Sequence, residues 1–480
     1  MQTTTSKTLL EQAFDPESFR KWGHELIDLL ADNLQRVEQS ADARVINYVE
    51  PADELAHWEQ SAQQLNTGKP IAFFEDILQH AIHIHHPGYI GHQVSAPALV
   101  ASLAGLVSDV LNNGTGVYEM GMAANALERV VTNFTAKKIG FPADAAGFLT
   151  SGGTLANFTA MLAARKAKAP TEVWEHGHQE KLAVMVSAEA HYCIDRAARI
   201  LGMGSAGIIK VPVNERYQID VSQLERYYQE ATKAGLTVIA MVGSACSTAT
   251  GSYDDLAALA DFSERHNLWF HVDGAHGGAV VFSDQHKPLV KGIERADSVI
   301  IDYHKMLMTP ALATGVIFRR EADSYKTFAQ KAQYLWDAQQ APEWFNTGRR
   351  TFECTKTMMV IKFYSILKTY GEGIFTEHVD RLFALTRHFV KMIEERPEFE
   401  LAIEPQANIV NFRYVATSDE NLNELNSFIR HQLLESGKFY IVQTMLGNRR
   451  YLRTSIMNPL TTEAHLQQLL DEIVRLAKHF

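Results

Sequence analysis

From about residue 145 to residue 319, short β-prone runs alternate with helical stretches, and this alternation admits few folds. The runs are LAVMVS (182–187), GIIKVPV (207–213), TVIAMVG (237–243), LWFHVD (268–273), SVIID (298–302) and GVIFR (315–319). Intervening segments such as DDLAALADFSERHN place apolar residues at helical spacing. Near-continuous apolar runs predict strands covered on both faces, and their alternation with helices predicts an α/β fold with a mostly parallel sheet. Ligands of such sheets bind beyond the carboxyl ends of the strands. The residues just after each run are therefore the candidates for chemistry.

The flanks differ in pattern. In FRKWGHELIDLLADNL, Phe19, Trp22, Leu26, Leu29, Leu30 and Leu34 recur at helical spacing, which predicts an amphipathic arm. Its apolar stripe needs a cover, either its own core or a partner subunit. After about residue 355 the strand-like runs NIVNFRY (408–414), KFYIVQ (from Lys438) and YLRTSI (451–456) alternate with helices. The expected organisation is a helical segment over 1–85, a large α/β domain over 86–357 and a small α+β domain over 358–480. With no Pro/Gly/Ser-rich linker, these parts are expected to pack together.

The formal net charge of −11 argues against a nucleic-acid partner and against docking on an anionic membrane. The start, MQTTTSKTLLEQAF, lacks a basic stretch followed by an apolar one, so no secretory signal is expected. The apolar stretch from Ala96 to Val110 is broken by Gly105, Ser108 and Asp109 and falls short of a membrane span. Cys193, Cys246 and Cys354 are far apart, which disfavours disulfides and structural zinc and fits a cytoplasmic protein.

Four groups of residues fall near predicted strand ends. In LTSGGTLANF, Gly152, Gly153 and Thr154 form a small-residue turn into an Ala-rich helix, a pattern that suits a phosphate and also an ordinary helix cap. In HVDGAHGG, Asp273 ends a buried strand, where a carboxylate needs a partner. His271, Asp273 and His276 can be read as metal ligands; a charge partner for a protonated ring nitrogen is the favoured reading of Asp273, with no metal. In DSVIIDYHKM, His304 and Lys305 follow another strand, and burial would lower the lysine's pKa and free its amine for a Schiff base. In SAEAHYCIDRAARILG, His191 is placed to stack on a flat cofactor or to fill a core.

Taken in chain order (phosphate turn, His191, Asp273, Lys305), from about His86 to Thr462, the motifs resemble the group II pyridoxal-phosphate-dependent decarboxylases. This family holds the glutamate, aromatic-amino-acid and 2,4-diaminobutyrate decarboxylases. His-Val-Asp-x-Ala followed by Asp-Ser-x3-Asp-x-His-Lys carries the resemblance. It implies fold type I with a seven-stranded-type large domain, and pyridoxal phosphate as cofactor. It makes Lys305 the Schiff-base lysine and Asp273 the partner of the pyridine nitrogen. His191 would stack on the ring and steer protons, with Ala275 on the opposite face. Gly152, Gly153 and Thr154 would hold the phosphate, Thr248 would contact the cofactor, and His304 would sit beside the lysine.

The resemblance also implies a substrate side and a homodimer with active sites between subunits. HPGYIGHQVS places His92 or Gln93 near the substrate, and VYEMGMAANALE adds Tyr118. Two departures stand out. Phe345 occupies the place of the family's loop tyrosine, and no tyrosine occurs between Leu335 and Phe352. Lys356 replaces the carboxylate-binding arginine and loses its bidentate fork, with Arg349 or Arg350 either compensating or lying exposed. The expected reaction is decarboxylation of an L-amino acid to amine and carbon dioxide. Aldehyde-forming oxidative deamination is the alternative that Phe345 favours. Aminotransfer and a non-catalytic role rank lower. The HIHHP run from His83 is read as the solvated end of a helix rather than a metal site.

Overall fold

The computed structural model describes residues 7–40, 42–328, 343–415 and 421–480. The core sheet has seven strands: β1 (Ala146–Thr150), β2 (Lys181–Ser187), β3 (Ile208–Val211), β4 (Leu236–Ser244), β5 (Trp269–Asp273), β6 (Ser298–Asp302) and β7 (Thr314–Phe318). Their spatial order is β1-β7-β6-β5-β4-β2-β3. The β2–β3, β2–β4, β4–β5 and β5–β6 pairs are parallel, and β7 runs antiparallel to both its neighbours. The architecture is α/β with a mixed sheet, mostly parallel as expected.

Six of these strands coincide with the apolar runs to within a few residues. β1 escaped that reading because it begins with Ala146 and Gly147. Gly147 is needed there: a Cβ would come within 2.4 Å of the Val316 carbonyl on β7. The helices Gly153–Lys168 and Tyr192–Ile200 cover the sheet. Ala156, Ala160, Ala163 and Ala164 are fully buried, and their small side chains let the first helix lie close to the strands.

The described residues cluster into two compact units. One comprises residues up to Gly91 with Tyr414–Leu452 and Leu460–Phe480; the other comprises His92–Arg413 and Arg453–Pro459. The helices Val360–Tyr370 and Gly373–Glu394, expected in a carboxyl-terminal lobe, fall in the second unit. Four further strands are β8 (Phe399–Leu401), β9 (Ile409–Tyr414), β10 (Val442–Leu446) and β11 (Arg449–Ser455). The run from Lys438 becomes a strand only at Val442; ahead of it, Tyr440 makes an isolated bridge with Tyr89.

The amphipathic arm is the helix Pro16–Gln39, started by Asp15, whose carboxylate accepts the Ser18 N–H, and by proline at its first position. The HIHHP run is not a helix end. The preceding helix stops at Gln79, and His83 is buried with its N–H on the Val45 carbonyl. No helix among the described residues is long and apolar enough to cross a membrane.

Candidate active site

Parallel pairing brings the carboxyl ends of β2, β4, β5 and β6 to one edge of the sheet, where they and the turn after β1 line a cavity of about 200 Å³. The register puts Ser244 beside Asp273 and Asp302 opposite Thr314. Lys305 follows β6 in a turn closed by its N–H on the Asp302 carbonyl. Its ammonium lies 3.0 Å from Asp302 Oδ2, and Thr314 Oγ1 donates to the other oxygen.

Burial would lower the Lys305 pKa, but the charge and hydrogen bond of Asp302, aided by Asp273, outweigh it and hold the ammonium above its usual value. Burial likewise pushes Asp302 up, and Lys305 and His304 overcome that, leaving it below the usual carboxylate value. The expectation that burial alone frees the amine is therefore corrected. In this state Lys305 is a paired cation, and its proton must leave before the amine can attack a carbonyl. Gly153 makes the close approach of Asp302 feasible, since a Cβ there would sit 3.1 Å from both carboxylate oxygens.

Asp273 is held by a chain of buried groups. Its Oδ2 accepts from Asn157 Nδ2 (3.1 Å), and its Oδ1 accepts from the Ala275 N–H (3.2 Å). Asn157 Oδ1 faces His271 Nε2 (2.8 Å), and His271 Nδ1 faces Ser298 Oγ (2.8 Å), which also accepts from the Trp269 indole (2.9 Å). Burial drives the His271 pKa down to about 3, so the ring stays neutral. Both its nitrogens are committed, which removes it as a metal ligand. Burial also raises the Asp273 pKa, against the pull of Lys305 and His191.

His191 caps the helix Tyr192–Ile200 by accepting the Cys193 N–H on Nδ1 (3.3 Å). That contact places its proton on Nε2, and burial lowers its pKa, so the ring is a neutral donor. His304 Nδ1 lies 3.0 Å from the Ala313 carbonyl. The helix Gly153–Lys168 begins at Gly152 (φ +110°) with no side-chain cap, so its first N–H groups are available to an anion.

Gly153, Thr154 and Thr248 line the cavity, as do His191, Asp273 and Ala275, and His304 and Lys305. Gly152 leads into the turn without lining it. His92, Gln93, Tyr118, Phe345 and Lys356 do not line it either. Tyr118 and Phe345 do meet each other, ring centroids 5.5 Å apart, and the Phe345 carbonyl accepts from Asn125 Nδ2. Residues 329–342, Leu335 among them, lie outside the described residues.

Lys356 requires a correction. Its ammonium bonds Glu128 Oε1 (2.7 Å) and the Leu149 carbonyl (2.8 Å) and is 1% exposed, so its charge is already spent. Arg350 is buried too, its guanidinium against the Phe148 and Tyr325 rings. Sequence reading gave no role to Asn157, Arg453 or Asp302, although Asp302 stands in the quoted motif. Arg453, on β11, is buried and gives Nη2 to the carbonyl of Thr248 (2.5 Å), while its Nε has no partner. Burial pushes its pKa down to about 10. A charged residue inside the apolar run YLRTSI, and an Asn one turn along the Ala-rich helix from Gly153, were the available signals.

The family model described as the pyridoxal-dependent decarboxylase conserved domain matches residues 51–415. The chain belongs to this family. The aromatic-L-amino-acid decarboxylase of Bacillus atrophaeus is 26% identical over 472 residues, covering 96% of this chain and 96% of that protein. The acidic amino acid decarboxylase GADL1 of Bos taurus is 28% identical over 419 residues, covering 84% of this chain and 80% of that protein. The crystal structure of mouse CSAD matches with a TM-score of 0.90 at 25% identity, covering 96% of this chain and 99% of that one. The decarboxylase is thus a fold type I, pyridoxal-phosphate-dependent enzyme acting on an amino acid. The cavity fits that cofactor in chemical type: a lysine amine, a buried and fixed carboxylate, and uncapped amide donors surround one space.

The Lys356 correction is testable through stability. Lys356→Met leaves Glu128 buried and uncompensated and should cost about 3 to 5 kcal/mol. Adding Glu128→Leu should recover most of this in denaturant titrations and leave KM unchanged. A large rise in KM in the double variant would show that Lys356 contacts substrate.

Proposed function

We propose that the decarboxylase converts an L-amino acid to its amine and carbon dioxide, with Lys305 as the residue that binds the cofactor's aldehyde. The observation that carries this reading is the convergence of Lys305, Asp302 and the Asn157-anchored Asp273 on one cavity. Bound pyridoxal phosphate supplies a conjugated, protonated ring that accepts the electron pair released when carbon dioxide departs. Asp273, immobilised by Asn157 and the Ala275 N–H, keeps the pyridine nitrogen protonated. The N–H groups from Gly153 and Thr154 onward, with Gly152 shaping the turn, bind the phosphate. His191 and Ala275, which both line the cavity, would face the two sides of the ring, and the Nε2–H of His191 would deliver a proton at the α-carbon. His304, fixed by Ala313, and Thr248 wall the site beside the lysine.

Arg453 takes the place once given to Lys356. It is a buried cation one residue contact from the cavity, through Thr248, with an unspent Nε–H. A substrate carboxylate is the group that would satisfy it. The names of the relatives span acidic and aromatic amino acids.

Aldehyde formation is a second reading, favoured by Phe345. There dioxygen and water would enter with the amino acid, and aldehyde, carbon dioxide, ammonia and hydrogen peroxide would leave. Against it, Phe345 is engaged with Tyr118 and Asn125 and does not line the cavity. Tyr334 stands one residue before the tyrosine-free stretch and lies outside the described residues.

A second copy of the chain completes this reading. The helix Leu99–Leu111 leaves Leu103, Leu106, Val107, Val110 and Leu111 exposed, an apolar face that calls for a partner. His92, Gln93 and Tyr118, which do not line the cavity of their own subunit, would then serve the partner's site. Sedimentation should give about twice the 53.8 kDa chain mass; a monomer with full activity would refute the shared site.

The reaction is tested by following carbon dioxide and hydrogen peroxide together, in air, across glutamate, aspartate, 2,4-diaminobutyrate and aromatic amino acids. Carbon dioxide without peroxide is expected. In the same assay Arg453→Gln should raise KM by about 10- to 100-fold, the worth of a charged hydrogen bond. Equal yields of both products would establish aldehyde formation, and comparing Phe345→Tyr with Tyr334→Phe would show which position controls it. Turnover with neither product would overturn decarboxylation in favour of aminotransfer. No turnover across the panel would favour the non-catalytic reading.

A further inference from the structure

The helices Pro51–Ser61 and Pro70–Gln79 bring together His57, Asp76 and His80, none of which lines the cavity described above. Asp76 and the C-cap residue His80 are four apart and share one side of their helix; His57 comes from the other helix. One potential ligand atom from each lies within 4.8 Å of the other two. His57 Nε2 is 3.0 and 3.1 Å from the Asp76 oxygens, and His80 Nε2 is 3.7 Å from Asp76 Oδ1.

Glu54 distinguishes this cluster from a simple ion pair. Its Oε2 lies 2.6 Å from His80 Nδ1, while its Oε1 accepts from the Trp58 indole at 2.7 Å. Held by Trp58, Glu54 takes the Nδ1–H of His80 and turns the Nε2 lone pair towards Asp76. This is the carboxylate–histidine arrangement that stands behind metal-ligating imidazoles, where it fixes the tautomer and strengthens the ligand. The His57 and His80 rings are stacked, with centroids 4.2 Å apart and planes at 22°. Two protonated rings in that geometry would repel, whereas two neutral rings can share one cation.

Ligand atoms around tetrahedral zinc, with bonds near 2.0–2.1 Å, stand about 3.3 Å from one another. The separations of the two histidines from Asp76 bracket that value, and the third lies within 4.8 Å, so side-chain rotations close the shell. The side chains of His57, Asp76 and His80 are 36%, 28% and 20% exposed, which leaves a path for the ion and for a water ligand.

We propose that His57, Asp76 and His80 form a site for a zinc-type divalent cation, with Glu54 as the positioning residue behind His80. The ion clips the two helices together and is independent of the reaction assigned above.

The test uses the full chain loaded with pyridoxal phosphate, stripped with a chelator and titrated with zinc against a chromophoric competitor. One zinc per chain should bind, and His57→Gln/His80→Gln should abolish it. Glu54→Gln keeps all three ligands and should weaken binding about 10- to 100-fold. Cobalt(II) should give tetrahedral visible bands and quench Trp58, whose ring lies 4.8 Å from His57 and 5.6 Å from His80; the quenching should vanish in Trp58→Phe. Absence of the cobalt bands in the unmodified protein would overturn the proposal, whatever the variants do. Equal zinc uptake by the double histidine variant would overturn it too, assigning the metal to other histidines.

Discussion

An ammonium paired with a buried carboxylate at the mouth of the cavity organises the large unit of this decarboxylase. Lys305 cannot be placed in the interior without a counter-charge, and Asp302 supplies it at 3.0 Å. Gly153 eases this approach, since a Cβ there would crowd both Asp302 oxygens at 3.1 Å, so the turn after β1 and the turn after β6 fit against each other. Asp273 sits on the next strand by register, and it too needs fixing. The Asn157–His271–Ser298 chain does this with neutral groups, which hold the carboxylate in place without discharging it.

Two lysines in this unit show how burial and pairing separate function from support. Lys356 and Lys305 each lie within hydrogen-bond distance of a carboxylate. Lys356 is 1% exposed, its hydrogen bonds go to Glu128 and Leu149, and it lies off the cavity. Lys305 is 19% exposed and opens on the cavity. The difference is access, and access depends on which strand ends the chain leaves uncovered.

Access is also what the amino-acid sequence reveals least. The strands of the core were legible because a sheet covered on both faces requires continuous apolar runs, and Asp273 at the end of one run, with His304 and Lys305 just past another, stood out as polar. Asn157 was hidden in an Ala-rich helix whose polarity means little until it is known to face Asp273. Arg453 was hidden in a different way: its role follows from a contact with Thr248, about two hundred residues earlier in the chain. Lys356 misled because a positive charge in a recognised segment says nothing about whether a buried Glu128 already claims it. The Ala-Gly start of β1 was illegible for a steric reason, since glycine marks a close approach to β7 rather than a break in the strand.

The central claim is that Lys305 carries the cofactor, and chemical trapping tests it most directly. Borohydride reduction of the holoenzyme followed by peptide mass mapping should find the pyridoxyl mass on the peptide containing Lys305, and nowhere in Lys305→Arg. A label on another lysine, or an unlabelled Lys305 in active enzyme, would contradict the account.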